Sequence, residues 1–474
     1  MKRVPPDPEL DRDLDKLLSS FVVLSKHREE LECYVDIDIA HLAMLDAAEL
    51  VPRPVVTTLV RAAVEMRAVG FEDLDGTHAP RGLYMAYQAE IARRAGPKNA
   101  RFLHTGRSRN DLNATVFLLR MRGWLCSSLK SLDRLRATLL ERAFDLGEAP
   151  LPVMSQYQIA GPGQAWHYLA SIEGALAVSR EAFRAVSHAL EICPMGAGAG
   201  VGTSLPIRPE ITASYLGFSY PVDLSLRAVG GREAGPLFAN AASTAAIVVG
   251  RTAQDMQVWM IPGVDVLDLP NRLSGMSSML PHKRNPFLLE HLKSLSASVM
   301  AKAGECGATC LKVPLANSVE VSGYLPSLIE QQNIDFDRLC ALAAIVVEGL
   351  ELCEVATSNQ HPEINAQVLV EQRAMSTGQS VALELDILAK ALRNTKETKN
   401  SAELELLAAF GDASANLRYG GGPGTSEWTK IVARQARALA RHRSELEKLQ
   451  RPWVDASVAR HEFAVAHGAP HIVK

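Results

Sequence analysis

The segment SGMSSMLPHKRNP at residues 274–286 combines residue types that can carry chemistry. Its small and hydroxyl-bearing residues predict a mobile loop, and Asn285 and Pro286 are typical of the N-cap and first position of a helix. A helix N-terminus beside the ammonium group of Lys283 favours an anion. A serine in such a field loses its proton more easily. An ordinary capped loop would contain the same residues, so the segment alone leaves both interpretations open.

A second segment, HTGRSRND at residues 104–111, places two guanidinium groups, two hydroxyls and an amide just before a long helical pattern. An arginine side chain offers a bidentate fork that matches a carboxylate. The residues therefore suit the binding of a carboxylate. A charged helix entry is the commoner explanation of such a segment when it is taken alone.

Long amphipathic helices must position both segments. Between Asn113 and Leu146, leucines recur at three- and four-residue steps, which predicts one long helix with a single apolar face. Further long helices are predicted over 164–191, 232–259, from Pro286 onward, and over about 327–352. Such lengths favour an all-α bundle, with neighbouring chains completing the burial, over an α/β sheet.

Composition excludes several classes of protein. The 474 residues carry 50 Lys and Arg against 53 Asp and Glu, which gives no basic excess for nucleic acid or anionic lipid. Seven scattered cysteines without a C-x-x-C pair do not suggest disulfides or structural zinc. The first twenty residues lack the apolar core of a signal peptide, and no apolar run would cross a bilayer. We therefore expect a cytoplasmic protein without nucleic-acid or membrane partners.

Two further features of the sequence resemble cofactor or metal sites only superficially. The glycine run at 196–202 lacks the G-x-G-x-x-G spacing of a dinucleotide-binding turn and follows a helix-like segment. The histidines His461, His467 and His471 have no fixed spacing with carboxylates. We therefore expect neither a metal nor an organic cofactor.

Together, the segments resemble the aspartase/fumarase superfamily, and most closely its argininosuccinate lyase branch. HTGRSRND is the form that this branch typically shows, and SSMLPHKRNP at 277–286 is similar to the superfamily signature G-S-S-x-M-P-x-K-x-N-P. Further similarities occur, in order along most of the chain, at 194–218, 227–233, 312–316 and 420–424.

The resemblance implies an all-α subunit of three helical domains, which we place at residues 1–111, 112–360 and 361–474, with the long-helix bundle at the centre. It also implies a homotetramer whose sites are each built from three subunits. The implied reaction is a β-elimination on a small dicarboxylate-type substrate of amino-acid metabolism. A base removes the proton next to a carboxylate, and a C–N bond then breaks to release fumarate.

By the same resemblance, Ser277 would be the base, while Lys283 and Asn285 would hold the substrate carboxylate and lower the serine pKa. The proton next to a carboxylate is very weakly acidic, so its doubly charged intermediate needs preorganised cations and donors. The other residues implied in substrate binding are Ser108, Arg109, Asn110, Ser155, Gln156, Ser278 and Arg232.

The sequence also departs from the family pattern. LPVMSQYQIAGP at 151–162 is similar to M-P-G-Y-T-H-L-Q-x-A-x-P, which puts Ser155 at the threonine and Gln156 at the catalytic histidine. Glutamine cannot exchange protons near neutral pH. Tyr84 or Met85 falls where the family's E-D-x-H segment has its histidine, and KVPLANSVEVS at 312–322 differs from L-P-L-A-Y-N-x-D-x-Q. The succinyl subsite is thus partly kept, and the amine-side subsite is rebuilt.

Three interpretations remain open on the sequence. The chain is an active lyase for a different succinyl-type adduct, whose leaving group needs no histidine acid. Alternatively, it is a genuine argininosuccinate lyase in which Tyr157, His282 or another residue supplies the proton. The third interpretation is a non-catalytic relative that binds a ligand or serves as a structural oligomer.

Overall fold

The computed structural model describes residues 21–79, 82–280, 282–311, 313–353, 365–395 and 413–469. Four helices form its N-terminal part: α1 (Leu24–Ala47), α2 (Arg53–Ala68), α3 (Leu83–Ala95) and α4 (Pro97–Ala100). Their apolar faces form one core, and Leu112 and Val116 of the following long helix pack into it. The N-terminal helices are therefore attached to the start of that long helix.

The central part alternates long helices with short strands. Its elements are α5 (Arg109–Leu146), β1 (Val153–Ser155), β2 (Gln158–Gly161), α6 (Ala165–Ala189), α7 (Pro209–Tyr215), α8 (Ser225–Gly230), α9 (Ala234–Trp259), β3 (Leu267–Asp268), β4 (Gly275–Met276), β5 (Arg284–Asn285), α10 (Phe287–Leu311), α11 (Leu325–Glu348) and β6 (Glu351–Leu352). The strands form three antiparallel pairs, β1 with β2, β3 with β6 and β4 with β5. The prediction of an all-α fold with a long-helix bundle is confirmed.

The apolar stripe of α5 lies inside the bundle, as its spacing predicts. Leu125, Leu132 and Leu139 are buried in a single core shared by α5, α6, α9, α10 and α11. Leucines three and four positions apart lie on one face of a helix, so a regular stripe of them buries a continuous surface.

Contacts along the bundle give the direction of each long helix. Arg120 pairs with Glu330 at 2.8 Å and Arg142 donates to the carbonyl of Leu350 at 2.6 Å, so α5 and α11 run parallel. Near the end of α5, the backbone N–H of Trp166 in the first turn of α6 bonds the Gly147 carbonyl at 3.0 Å. Helix α6 therefore returns antiparallel to α5.

The other two long helices follow the same pattern. The Tyr168 hydroxyl, near the start of α6, bonds Asp255 near the end of α9 at 3.1 Å, so α9 runs parallel to α5. Lys293, near the start of α10, bonds Gln254 at 3.3 Å, so α10 runs antiparallel to α9. We call the end of the bundle where α5, α9 and α11 begin the proximal end, and the opposite end the distal end.

The length of α5 sets the distance between the two ends. This helix has 38 residues, and a rise of 1.5 Å per residue makes it about 57 Å long. Groups carried at the two ends of one subunit are therefore too far apart to touch the same small molecule.

The C-terminal part contains α12 (Ala366–Thr377), α13 (Val381–Thr395) and the long α14 (Trp428–Ala466). Helix α14 adds Val432, Leu439 and Leu446 to the core of the bundle. The predicted domain boundary near residue 360 lies outside the described residues, and the division into three domains stays a prediction.

A buried ion cluster fixes α14 against α5 and α6. The fully buried guanidinium of Arg136 pairs with Glu173 at 2.6 Å and with Asp133 at 3.1 Å, and lies 3.0 Å from the His442 imidazole of α14. A buried charge is tolerated only when it is paired and hydrogen-bonded, so this cluster allows one docking position for α14.

The packing of α6 predicts the cost of a core truncation. Leu176 is fully buried and borders a small apolar cavity, whereas Val178 on the same helix is 70% exposed. We expect Leu176→Ala to lower the free energy of unfolding by about 2–5 kcal/mol, through lost apolar burial and the cavity left behind. Val178→Ala, the control, should change it by less than about 0.5 kcal/mol in the same denaturant titration. Equal effects of the two substitutions would contradict this packing.

Candidate active site

The proximal segment is a capped helix start. Ser108 is the N-cap of α5: its hydroxyl accepts the N–H of Asn110 at 3.3 Å, and its own N–H donates to Asp111 at 2.9 Å. This reciprocal capping box satisfies donors that the first turn of a helix otherwise leaves open. Arg109 is exposed, while Ser108 and Asn110 are half-buried. The segment thus presents polar groups from a fixed backbone.

Asp111 also holds the glycine-rich segment to α5. Its second carboxylate oxygen accepts the N–H groups of Gly196 at 3.1 Å and Gly198 at 2.9 Å. Both glycines have positive φ angles, 102° and 59°, which a side chain would strain. Burial raises the pKa of Asp111 to about 6. The glycines therefore serve to shape a loop around this carboxylate.

A buried polar network lies beneath the proximal segment. The Arg107 guanidinium pairs with Asp38 at 2.6 Å and donates to the Tyr84 hydroxyl at 3.1 Å, which lies 3.2 Å from His104 Nε2. The Nε2 atom of His41 bonds the Thr105 carbonyl at 3.0 Å. These contacts hold the chain that leads into Ser108 from the side of the N-terminal helices.

The distal end carries a tight hairpin. Strands β1 and β2 are joined through Gln156 and Tyr157, with Ser155 paired to Gln158. A two-residue hairpin connection requires positive φ angles, and the two residues have φ of 51° and 60°. Residues other than glycine rarely adopt this left-handed backbone region, and each residue that does so costs about 1–2 kcal/mol. Ser155, Gln156 and Tyr157 are exposed at this turn.

A second hairpin, which we call the flap (described over residues 275–280 and 282–285), extends between α9 and α10. Strands β4 and β5 form its base, with Met276 paired to Arg284. The Arg284 guanidinium ties the base to Asp268 at 2.5 Å and to the Leu269 carbonyl. Met276 and Met279 are each 87% exposed. The tip of the flap therefore extends from a fixed base.

The half-buried Ser277 lies just past β4, and its Oγ accepts backbone N–H groups from Leu280 at 3.0 Å and Met279 at 3.4 Å. Two N–H donors aimed at one oxygen favour negative charge on it. Lys283 and Ser278 are exposed on the same flap. Among the described residues, no carboxylate lies within 4 Å of the Lys283 ammonium group.

The start of α10 differs from the sequence prediction. The helix begins at Phe287, and the Pro286 carbonyl accepts the N–H groups of Leu289 at 2.9 Å and Glu290 at 3.4 Å. Asn285 was predicted as the N-cap, but its backbone pairs with Gly275 in the flap, which holds it in an extended conformation. The prediction was wrong by one residue because pairing across the flap determines where the helix can begin.

Arg232, predicted to bind substrate, is buried inside the protein, whereas most of the other predicted site residues are exposed or half-buried. It precedes α9 and is 5% exposed, and its guanidinium donates to the carbonyls of Gly231 at 2.6 Å, Val229 at 2.8 Å and Val321 at 3.2 Å. Burial lowers its pKa to about 10. Its contacts join the start of α9 to the chain that precedes α11.

Within one subunit, the candidate residues form two separate groups. Ser108, Arg109 and Asn110 lie at the proximal end, and Arg232 is buried near it. The distal group contains Ser155, Gln156, Ser277, Ser278, Lys283 and Asn285. About 57 Å of bundle, the length of α5 from its helical rise, lies between the two ends that carry these groups.

Sequence reasoning missed the groups that support these residues. The Asp38–Arg107 pair joins positions 69 apart in the chain, and neither residue lies in a pattern that announces the other. The donors to Ser277 are backbone groups, which every residue carries. The donors lie two and three residues after Ser277. Because hydroxyls in loops often accept nearby N–H groups, this short spacing was the signal in the sequence that could have indicated them.

Within the described ranges, no group of three or more His, Cys, Asp or Glu side chains is placed to hold a metal ion. None of the helices described is long and apolar enough to cross a membrane.

Comparison with known proteins identifies the class. Residues 75–301 match the family described as Lyase. Argininosuccinate lyase of Methanocorpusculum labreanum is 27% identical over 335 residues, covering 69% of this chain and 67% of that protein. Argininosuccinate lyase of Chromobacterium violaceum is 32% identical over 275 residues, covering 56% of this chain and 58% of that protein, which is less than two thirds of its length.

The fold is also similar to that of solved lyase structures. A structure of an EDDS lyase variant with bound fumarate has a TM-score of 0.81 and 20% identity, covering 98% of this chain and 96% of that one. The helical architecture and the matched family define a lyase of the fumarase/aspartase type. The chain is similar to the argininosuccinate lyases of the aspartase/fumarase superfamily, and the matches support its place among these lyases.

The proximal network predicts a pH effect on stability. Burial, together with Arg107 and Arg109, lowers the pKa of His104 to about 4, below the value of about 6.5 for an unfolded chain. Between these values the unfolded chain binds more protons, so the free energy of unfolding should fall as the pH drops from about 6.5 toward 4.

We expect His104→Gln to make that decline shallower in denaturant titrations between pH 4 and pH 7. His282→Gln, which changes an exposed histidine of the flap, is the control and should leave the slope unchanged. A slope that stays the same in His104→Gln would contradict the assignment.

Proposed function

We propose that this chain is a β-elimination lyase that cleaves a C–N or other C–heteroatom bond of a succinyl-type substrate and releases fumarate or a similar alkene acid. Ser277 acts as the base. The observation that carries the proposal is the pair of backbone N–H groups, from Met279 and Leu280, that bond its Oγ. A serine alkoxide keeps both hydrogen bonds and is stabilised by them, whereas a serine in open solvent has no such stabilisation.

Lys283 and Asn285 hold the substrate carboxylate next to the reacting carbon. The Lys283 ammonium group is exposed and lies six residues after Ser277 on the same flap. Its positive charge favours both the serine alkoxide and the doubly charged intermediate that forms when the proton leaves carbon. Closure of the flap over the substrate then excludes water, and the C–N bond breaks as the double bond forms.

The other carboxylate of the substrate binds at Ser108, Arg109 and Asn110. Arg109 supplies a fork that suits a carboxylate, and the first turn of α5 adds backbone donors and the positive end of a helix. These residues lie about 57 Å from the distal end of their own subunit, along 38 residues of α5. We therefore propose that each site takes this group from one subunit and Ser277 from another.

Outward-facing stripes on the bundle support a homotetramer. On α10, an exposed stripe of small residues recurs at steps of three and four: Ser294, Ala297, Ala301, Gly304 and Ala308. On α11, a second exposed stripe has the same spacing: Gln331, Ile334, Arg338, Ala341 and Ile345. This period is that of helices packed along each other, and small residues permit close approach. Copies packed antiparallel bring a proximal end beside a distal end.

The leaving group is the part of the substrate that differs from argininosuccinate. Gln156 occupies the tip of the β1–β2 hairpin and cannot deliver a proton, although its amide can bond a polar group. The leaving group therefore departs as a stable anion or takes its proton from water. The exposed Ser155 and Ser278 supply further hydroxyl groups to the substrate.

Substitution of the base tests this mechanism. In a screen of N-substituted succinates, we expect ultraviolet absorbance from released fumarate and mass detection of the released partner. Ser277→Ala should lower kcat by about 10²- to 10⁴-fold, the usual contribution of a general base. The oligomer, followed by size-exclusion chromatography, should be unchanged.

Ser171→Ala is the matched control, because Ser171 is an exposed serine on α6 whose hydroxyl donates to the His167 carbonyl of its own helix. It should retain full turnover. Undiminished fumarate release by Ser277→Ala would overturn the role of Ser277. If no substrate in the screen is turned over and Ser277→Ala binds fumarate as the unaltered protein does, the non-catalytic interpretation replaces this proposal.

A further inference from the structure

We propose that Tyr84 is a positioning residue, whose hydroxyl joins Arg107 to His104, fixes one neutral tautomer of that imidazole and holds the chain that presents Ser108, Arg109 and Asn110. The role of those three residues rests on the proposed function. The hydrogen-bond arrangement itself does not depend on it.

The ring of Tyr84 has little freedom to move. It lies in the first turn of α3 and is 3% exposed. Its ring centre lies 5.2 Å from that of Tyr34, 6.0 Å from that of Tyr87 and 5.8 Å from that of His104. Rings at these distances pack in contact, so the hydroxyl occupies a set position.

The direction of each hydrogen bond follows from the donors. Arginine has no acceptor, so the Arg107 Nη2 atom donates to the Tyr84 oxygen at 3.1 Å. The hydroxyl proton of Tyr84 then needs an acceptor, and in the described part of the chain that acceptor is His104 Nε2 at 3.2 Å. Nε2 must carry a lone pair, so the ring proton of His104 lies on Nδ1.

The charges around His104 agree with a neutral ring. Arg107 and Arg109 face it, and both disfavour a second positive charge there. The carboxylate of Asp38, which is hydrogen-bonded within this network, is engaged by Arg107 at 2.6 Å and by the Tyr87 hydroxyl at 2.8 Å. Tyr84 thus connects the Asp38–Arg107 ion pair to the His104 imidazole.

The chain from His104 to Arg107 is held at three points. His104 contacts Tyr84, the Thr105 carbonyl accepts from His41 at 3.0 Å, and Arg107 pairs with Asp38. Tyr84 takes part in two of these anchors, since it also accepts from Arg107. Ser108 follows directly and caps α5, so loss of the Tyr84 hydroxyl shifts the residues that begin that helix.

The tautomer can be measured on the whole protein without any substrate. In ¹⁵N-histidine NMR spectra at pH 7, we expect one neutral ring protonated at Nδ1, assigned to His104 by its loss in His104→Gln. A ring protonated at Nε2, or a charged ring, would overturn the proposal. In Tyr84→Phe we expect the fixed tautomer to give way to a mixture of the two neutral forms.

Kinetics separate positioning from general stability. We expect Tyr84→Phe to raise KM about tenfold while kcat changes less than about twofold, as loss of one buried hydrogen bond in a binding loop implies. Tyr87→Phe is the control, because its hydroxyl bonds Asp38 and, among the described contacts, makes no hydrogen bond to residues 104–107. An equal rise in KM in both variants, or none in Tyr84→Phe, would overturn the proposal.

The two proposals fail in different ways. Full turnover by Ser277→Ala would remove the proposed base and leave the NMR result for His104 standing. If Tyr84→Phe does not fold, the tautomer of His104 in the unaltered protein still decides the assignment.

Discussion

The distance that α5 imposes is the constraint on which the functional account depends. Its 38 residues form one uninterrupted helix that buries a continuous apolar stripe, so the two ends of a subunit cannot approach each other. The polar residues that suit a succinyl group are divided between those ends. A site that uses both groups therefore has to be assembled from different copies of the chain, and the antiparallel packing of bundles provides such an arrangement.

The two ends hold their polar groups in different ways. At the proximal end, Asp111 and Arg107 fix the backbone through buried hydrogen bonds, which suits residues that bind without moving. At the distal end, Ser277 and Lys283 lie on a flap whose base is anchored by Arg284. In the site we propose, the rigid surface of one copy faces the flap of another, an arrangement that admits substrate and then excludes water.

The sequence predicts the long helices of the bundle well because their apolar periodicity is a local property of 24 to 38 residues. It also indicates the segments 104–111 and 274–286 as polar loops before helices. It does not predict the two hairpins or the start of α10 at Phe287, because strand pairing joins residues that no local pattern relates. The resemblance that points to Arg232 cannot reveal that the Nε and Nη1 atoms of its guanidinium donate to backbone carbonyls.

The most direct test of the shared site mixes two inactive variants. Ser277→Ala and Arg109→Ala subunits, unfolded together and reassembled in equal amounts, should recover about a quarter of wild-type activity, because random assembly in a symmetric oligomer gives that share of sites both intact groups. Each variant reassembled alone should stay inactive. If the mixture also stays inactive although mixed oligomers have formed, Ser277 and Arg109 do not meet across subunits, and the account of the site is wrong.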